Sequence, residues 1–509
     1  MRKEVKQFGA LLIWAAVLCS PLRSVGQGSS SSAADPAERM SQAGLRQDIT
    51  ILRQTLQQSH PGLYRYTTKP KMDAAFAAAL KSVDRPMSLR EFYGVVTALL
   101  TEVKDGHTRA FLTNDYRKFL NNTAKRLPVQ VRLAGQEVII LNSNGQRVPR
   151  GSELLAIDGQ PISRILAVMV RHLSGDADIL TGKYAAISDN FASYYYLFVS
   201  QRDSFLIRYR TPDGKENMAR LESSLPGELK YPDDKLGTEP RPPLRYEPLG
   251  NPRTARLTIE TFALPPVDKG GQDFTKFLAS SFEQVRSAGV EDLVIDLRGN
   301  DGGDNFGPLL FSYLTDREFP SFDSAEAVSS SFPLLHQYSH LDKTFSDEFE
   351  NHLVPGPNGR FRLDDQEQLA PTPQKPQLEP YSGRVWYMID GNVFSAAAQF
   401  CSIARSHHRG KFVGEETGGG YHGNSSGEEV VITLPTSKLR IVMPLLRYEM
   451  ARSDPNAQRR GIIPDYSFRP TVMQMMDSSD AALAYVLDLI ATERDRSGSA
   501  KTKALSARE

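Results

Sequence analysis

The chain is short of cysteine, of charge of one sign and of long apolar runs, and each shortage removes a class of explanation. Two cysteines, Cys19 and Cys401, in 509 residues rule out a disulfide framework in any compartment. Lys plus Arg number 61 against 60 Asp plus Glu, a net charge of +1, so no global field exists to hold nucleic acid or another polyanion. Beyond Leu18 no segment approaches the ~20 apolar residues of a membrane helix. What is present, 40% apolar and 24% charged residues, is an ordinary globular composition. The length suffices for about two to four domains with their own cores.

Arg2, Lys3 and Lys6 precede an apolar run from Phe8 to Leu18, after which the chain turns polar and Ser-rich, the order of a secretory signal. Ser24 and Gly26 are small residues of the kind a signal peptidase reads, so the predicted signal covers 1–26 and Cys19 leaves with it. Lipid anchoring through Cys19 is the weaker alternative, because Val17 and Leu18 stand where small residues are expected. The expectation is an exported chain, periplasmic or extracellular, with Cys401 as a small buried hydrophobe.

Residues 27–44 read as a spacer. Helical periodicity runs through 45–124, with Ser88 as the predicted N-cap of LREFYGVVTALLTEV. From 125 to 223 the period shifts to alternation, in VQVRLAG, EVIILN and SFLIRYR, and VPRGSELLAIDGQPI (148–162) lies inside this strand-rich unit. The proline-dense 224–253 reads as a linker. Strands then alternate with helices over 254–475, which argues a mainly parallel sheet covered on both faces. The strands are ARLTIETF, DLVIDLR, RVWYMID, KFVGEE, EVVITLP and LRIVMP, with 354–382 as a surface insertion. A helix near Asp480 to Glu493 and a charged, disordered tail fill 476–509.

Three constellations could carry chemistry. Ser395 follows strand RVWYMID at a turn and opens the helix SAAAQFCSIARS, where helix N–H groups lie beside an exposed hydroxyl. Taken alone, a serine there is more often an N-cap than a nucleophile. DLRGNDGG (296–303) closes another strand, and its glycines let backbone approach a reacting atom. No Lys-Ser or Lys-Thr follows it or Gly418–Gly420, which disfavours a phosphate loop. KDGHT (104–108) places His107 just after an amphipathic helix. His336 and His340 have helical metal spacing without a completing ligand, and no metal or cofactor is expected. His407 and His408 suit the C-terminal end of the Ser395 helix, and His60 shapes the turn at Pro61.

Together these pieces resemble the tail-specific, or C-terminal processing, serine peptidases, which include the tricorn core proteases. The resemblance rests on KDGHT, VPRGSELLAIDGQPI, DLRGNDGG, the Gly391–Ala397 segment, Gly414–Gly419 and Gly461–Asp465, in that order over about 45–470. It implies a helical N-terminal unit, a PDZ-like β-rich domain and an α/β catalytic domain of ClpP/crotonase-like type. It implies a polypeptide substrate, including C-terminal tails held by strand addition to the PDZ-like unit. It further implies Ser395 as nucleophile, His107 as base, and an oxyanion hole from the N–H groups of Gly302 and Ala396. No lysine lies between Lys411 and Lys438, so the Ser-Lys branch of the family is disfavoured and the tricorn-like Ser-His branch preferred. Where that branch has a serine before the histidine and a late glutamate, this chain has Gly106 and Gln458. The orienter of His107 is left among Asp105, Gln458 and Glu449. A non-catalytic binding protein on the same scaffold and a small-substrate esterase are the competing readings, and the oligomeric state is open.

Overall fold

The computed structural model describes residues 38–506 except 147, 229–240, 251–252, 342, 365–372, 451–456 and 478, with side chains left undescribed at 343 and beyond 496. The signal, Cys19 and most of the spacer lie outside the described residues. Helices Gln42–Ser59, Lys69–Ser82, Leu89–Thr101 and Asn114–Asn122 form the N-terminal unit. Ser88 caps as expected, its hydroxyl accepting the Glu91 N–H while the Glu91 carboxylate accepts the Ser88 N–H. Leu45, Ile49, Leu52 and Leu56 form one apolar stripe, fully buried. That stripe belongs to the same hydrophobic core as the catalytic sheet, so the helical unit and the catalytic region share one interior.

The PDZ-like unit has its own core. Its sheet runs Gln130–Ala134, Glu137–Asn142, Ser152–Ile157, Ser204–Arg210, Glu216–Glu222 in spatial order, with the short Gln160–Pro161 beside Ser152–Ile157. Helix Thr181–Phe198, which the sequence did not disclose, packs along the Gln130–Ala134 edge. Its Ser188 hydroxyl accepts the Leu133 N–H at 2.9 Å, and Ile187 and Phe191 share a buried cluster with Val131. Strand addition at this edge therefore meets backbone already bonded within the domain.

The catalytic region holds two sheets rather than one. The first runs Tyr466–Ser467, Lys411–Gly414, Arg384–Ile389, Asp292–Asp296, Thr254–Ile259, all parallel, and ends in the antiparallel Leu244–Pro248. The proline-dense linker thus closes as an edge strand. Asp292–Asp296 is buried along its whole length, as a central parallel strand should be. The last helix, Ala481–Ser506, runs past Glu493 and lays Val486 and Ile490 on this sheet against Val294, Trp386 and Met388.

EVVITLP and LRIVMP do not complete that sheet. They lie in strands Ser425–Thr433 and Arg440–Glu449, an antiparallel hairpin at the centre of a second sheet with Ser324–Ala327, Phe361–Leu363 and Leu353–Pro355. The start of the 354–382 stretch is therefore sheet, not a mere surface excursion. Alternation shows that a segment is a strand but not which sheet receives it. Arg109–Phe111, two residues past His107, pairs antiparallel with Arg440–Val442, which anchors the end of the helical unit in the catalytic region.

A buried carboxylate fastens the two parts again. Asp48, fully buried in the first helix, accepts the N–H groups of Thr436 (2.9 Å) and Ser437 (2.7 Å) in the hairpin turn. Asp48→Ala strands both donors and is expected to cost about 2–4 kcal/mol of stability, with Asp48→Asn recovering part of it, in denaturant unfolding. Equal midpoints for Asp48→Ala and the parent would contradict this.

Candidate active site

Strand Arg384–Ile389 runs into Asp390 and a turn whose backbone is tightly hemmed. A Cβ on Gly391 would lie 2.5 Å from the Thr181 carbonyl oxygen, so only glycine fits. Phe394 is extended, and Ser395, first residue of helix Ser395–Ser406, has φ +51, a left-handed conformation that a serine holds only under constraint. The turn is pinned to the glycine turn beside it. Phe394 N–H donates to the Asn300 carbonyl (3.1 Å), and Asp390 Oδ1 accepts both Asn392 N–H (3.0 Å) and Gly299 N–H (3.2 Å). Burial raises the Asp390 carboxyl to about 6 against those N–H groups.

Gly302 (φ +105) presses on the elbow: a Cβ there would stand 2.7 Å from Ser395 Cβ and 3.0 Å from Ala396 N. Its own N–H, however, donates to Asn300 Oδ1 at 2.9 Å, and the Asn300 amide is fixed in turn by the Ile259 carbonyl. Gly302 is thus placed where expected but its N–H is engaged. The Ala396 N–H, in the first turn of its helix, has no intrahelical acceptor.

The histidine arrives from the helical unit. His107 Nε2 lies 3.0 Å from Ser395 Oγ across 288 positions of sequence, and its ring stacks on Phe394 with centroids 4.6 Å apart. The stack explains Gly106. A Cβ at that position would come within 2.6 Å of the Phe394 ring, which occupies the space a side chain would need. The ring's other nitrogen, Nδ1, is buried without a hydrogen-bond partner and stands 3.8 Å from Asp105 Oδ1.

Of the three residues considered for orienting His107, Asp105 alone is adjacent. Gln458 is exposed, and Glu449 pairs with Arg65 at 2.9 Å and with Arg447. Asp105 Oδ1 accepts the His107 N–H (2.9 Å), and Oδ2 accepts from Thr108 Oγ1 (3.0 Å) and from His60 Nε2 (2.8 Å). His60 Nδ1 accepts the Gly62 N–H at 3.0 Å, which fixes the proton of the neutral ring on Nε2, facing Asp105. Burial opposes charge on Asp105, but these bonds and the two imidazoles outweigh it and hold the carboxyl far below its usual range. For His107, burial again opposes the charged form, and Asp105, with Glu429 and Asp176, more than offsets it and raises the ring above 6.5.

Sequence reasoning missed His60, Asn300, Phe394 and Asp176. His60 was legible only as a turn residue, and Asp176 sits in a polar stretch, SGDAD, with no motif to mark it. Asp105, His107 and Asp176 offer one ligand atom each within 4.8 Å. Every oxygen of the two carboxylates accepts an N–H or O–H, so hydrogen bonds account for the way the trio is gathered. Cys401 is buried on the Ser395 helix, its thiol pushed up by burial.

Residues 253–468 match the model of peptidase family S41. Among solved structures, mature CPAF complexed with lactacystin is similar at 15% identity and a TM-score of 0.60, covering 88% of this chain and 97% of that one. Mature CPAF alone is similar at 16% identity and 0.60, covering 88% and 96%. These likenesses show a shared fold. No curated protein matches the sequence.

Two outcomes follow from the elbow. Gly106→Ala drives a methyl into the Phe394 ring, shifts His107 relative to Ser395 and is expected to lower turnover about tenfold or more. Phe394→Leu in the same chain should restore part of that loss, and a strictly additive double variant would refute the steric coupling. Asp390 has a folded pKa of about 6 against an ordinary 3.8, so ionising it costs stability progressively as pH rises between these values. Asp390→Asn keeps an acceptor and should gain about 1–3 kcal/mol over the parent at pH 8, shrinking toward nothing near pH 4. A pH-independent difference would refute it.

Proposed function

We propose, from the premise that this chain belongs to peptidase family S41 and is a serine-type peptidase, that it is an exported endopeptidase working through an acyl-enzyme on Ser395 with His107 as base. The observation that carries the reading is the 3.0 Å approach of His107 Nε2 to a Ser395 held in a left-handed conformation against the glycine turn. Polypeptides are the substrate class. The charged and apolar order of residues 2–18 supports export. Among the described residues no helix is long and apolar enough to cross a membrane.

Ser395 Oγ would attack the scissile carbonyl carbon as its proton passes to His107 Nε2. The carbonyl π electrons move onto oxygen, where the Ala396 N–H is one donor. For the second, the Gly303 N–H is better disposed than that of Gly302. Phe262 bonds to the Gly302 carbonyl and the Asp304 N–H, which leaves the amide of Gly303 facing away from Phe262 and not engaged by it. His107 then returns the proton to the leaving amine, and a water repeats the sequence on the ester. Asp105 stays ionised throughout and stabilises the imidazolium.

A fluorophosphonate probe tests this on the full chain. Labelling is expected on Ser395, absent in Ser395→Ala and slowed about 10²–10⁴-fold in His107→Ala. Because the base must be neutral and its pKa is raised, the acid limb of the pH–rate profile should fall above 6.5. No labelling of the parent would sink the reading, and turnover of small esters without peptides would convert it to an esterase.

A further inference from the structure

The loop between helices Ile162–Val170 and Thr181–Phe198 of the PDZ-like unit wraps the His107 turn along its length. Ser174 Oγ donates to the Thr108 carbonyl (2.6 Å), Ala177 N–H to the Lys104 carbonyl (2.9 Å), and Asp178 pairs with Lys104 and Arg459. At the centre, Asp176 is 2% exposed, and among the described residues no lysine or arginine forms an ion pair with it. Its Oδ1 accepts the Gly106 N–H at 2.8 Å and its Oδ2 the Gly420 N–H at 3.1 Å. One carboxylate therefore joins the residue before the histidine to the glycine segment that packs on the Ser395 helix, where a Cβ on Gly419 would meet Ala398 Cβ at 2.5 Å.

We infer that Asp176, supplied by the PDZ-like unit, is a positioning residue for His107, which fixes the turn that carries the base and provides a second negative charge for its imidazolium. The inference rests on the catalytic reading of His107. Two N–H groups alone could be satisfied by a neutral amide or hydroxyl, at lower desolvation cost than a carboxylate. One polar atom each of Asp105, His107 and Asp176 falls within 4.8 Å, close enough for a carboxylate at either position to favour an imidazolium at His107. Burial first, and then Asp105, push the Asp176 carboxyl up, while His107 pulls it down. The groups facing His107 are Asp105 from its own turn, Asp176 from the loop, Glu429 from the hairpin and Ser395 and Phe394 from the elbow. Asp105, His107 and Asp176 are all buried, so bulk solvent screens the charges of this cluster little.

The test uses Asp176→Asn and Asp176→Glu in the full chain, with the His107 imidazole followed by NMR titration and kcat and KM measured on a peptide. Asp176→Asn should lower the His107 titration midpoint by about one unit, and Asp176→Glu should move it back up. Asp176→Asn should also cut kcat about 10–100-fold with KM within about twofold. An unmoved titration, or a loss of kcat that tracks thermal stability in both variants alike, overturns the inference. The titration reads His107 whether or not Ser395 reacts, so a parent that fails to label fails the catalytic reading and leaves this measurement to decide the role of Asp176.

Discussion

A carboxylate kept ionised out of water is the constraint on which the site depends. Burying Asp105 costs several kcal/mol on the scale of isolated ions, and the cost is offset only if its oxygens are fully bonded and a cation forms nearby. The fold meets both conditions with parts from separate places. The first helix ends at His60, whose Nε2–H reaches Asp105 because the Gly62 N–H has claimed Nδ1. Gly62 in turn lies so near the second sheet that a Cβ would stand 2.3 Å from Ser425 Oγ. Displacing the helix end would thus unseat the carboxylate and, through its bond to the His107 N–H, His107 itself.

The division into units follows the same constraint. The helical unit shares its core with the catalytic region and adds a strand to the second sheet, which leaves the His107 turn little freedom relative to Ser395. The PDZ-like unit has a core of its own, yet Tyr196 and Leu197 also enter the main core and two further ties lie at the site. Its 174–178 loop grips the base turn, and the start of helix Thr181–Phe198 packs glycine to glycine, with a Cβ on Gly182 reaching 3.2 Å from both the Gly391 carbonyl oxygen and Gly418 Cα. A domain whose Gln130–Ala134 edge is covered by its own helix, yet whose loop touches the His107 turn, is placed to hold that turn.

Much of this was legible in the chain. Period changes located the helical, strand-rich and α/β stretches, and the glycines of DLRGNDGG marked a place where backbone approaches closely. The order of the motifs brought Ser395 and His107 together although 288 positions separate them. What stayed hidden was set by tertiary context. EVVITLP alternates as any half-buried strand does, and nothing local tells it to leave the parallel sheet. Asp176 looks like a turn aspartate until the fold puts it under Gly106. Gly302 was well placed by its motif, but the direction of its N–H depends on the Asn300 side chain, which the motif does not report.

The third member of a serine-histidine site has two tasks, orienting the imidazole and stabilising its charge, and here they are separable. Orientation does not need a hydrogen bond at Nδ1. The Phe394 ring fixes the plane of His107, the Asp105 bond to its main-chain N–H fixes the turn, and Ser395 Oγ fixes the rotation about the ring. Charge is supplied at 3.8 Å by Asp105, beyond hydrogen-bond reach but strongly felt where solvent is excluded. Gly106 and Gln458, which interrupt the tricorn-like pattern, then need no replacement at the same positions. The glycine admits the aromatic ring that orients His107, and the charge comes from the turn itself, so the arrangement around His107 makes no use of the exposed Gln458.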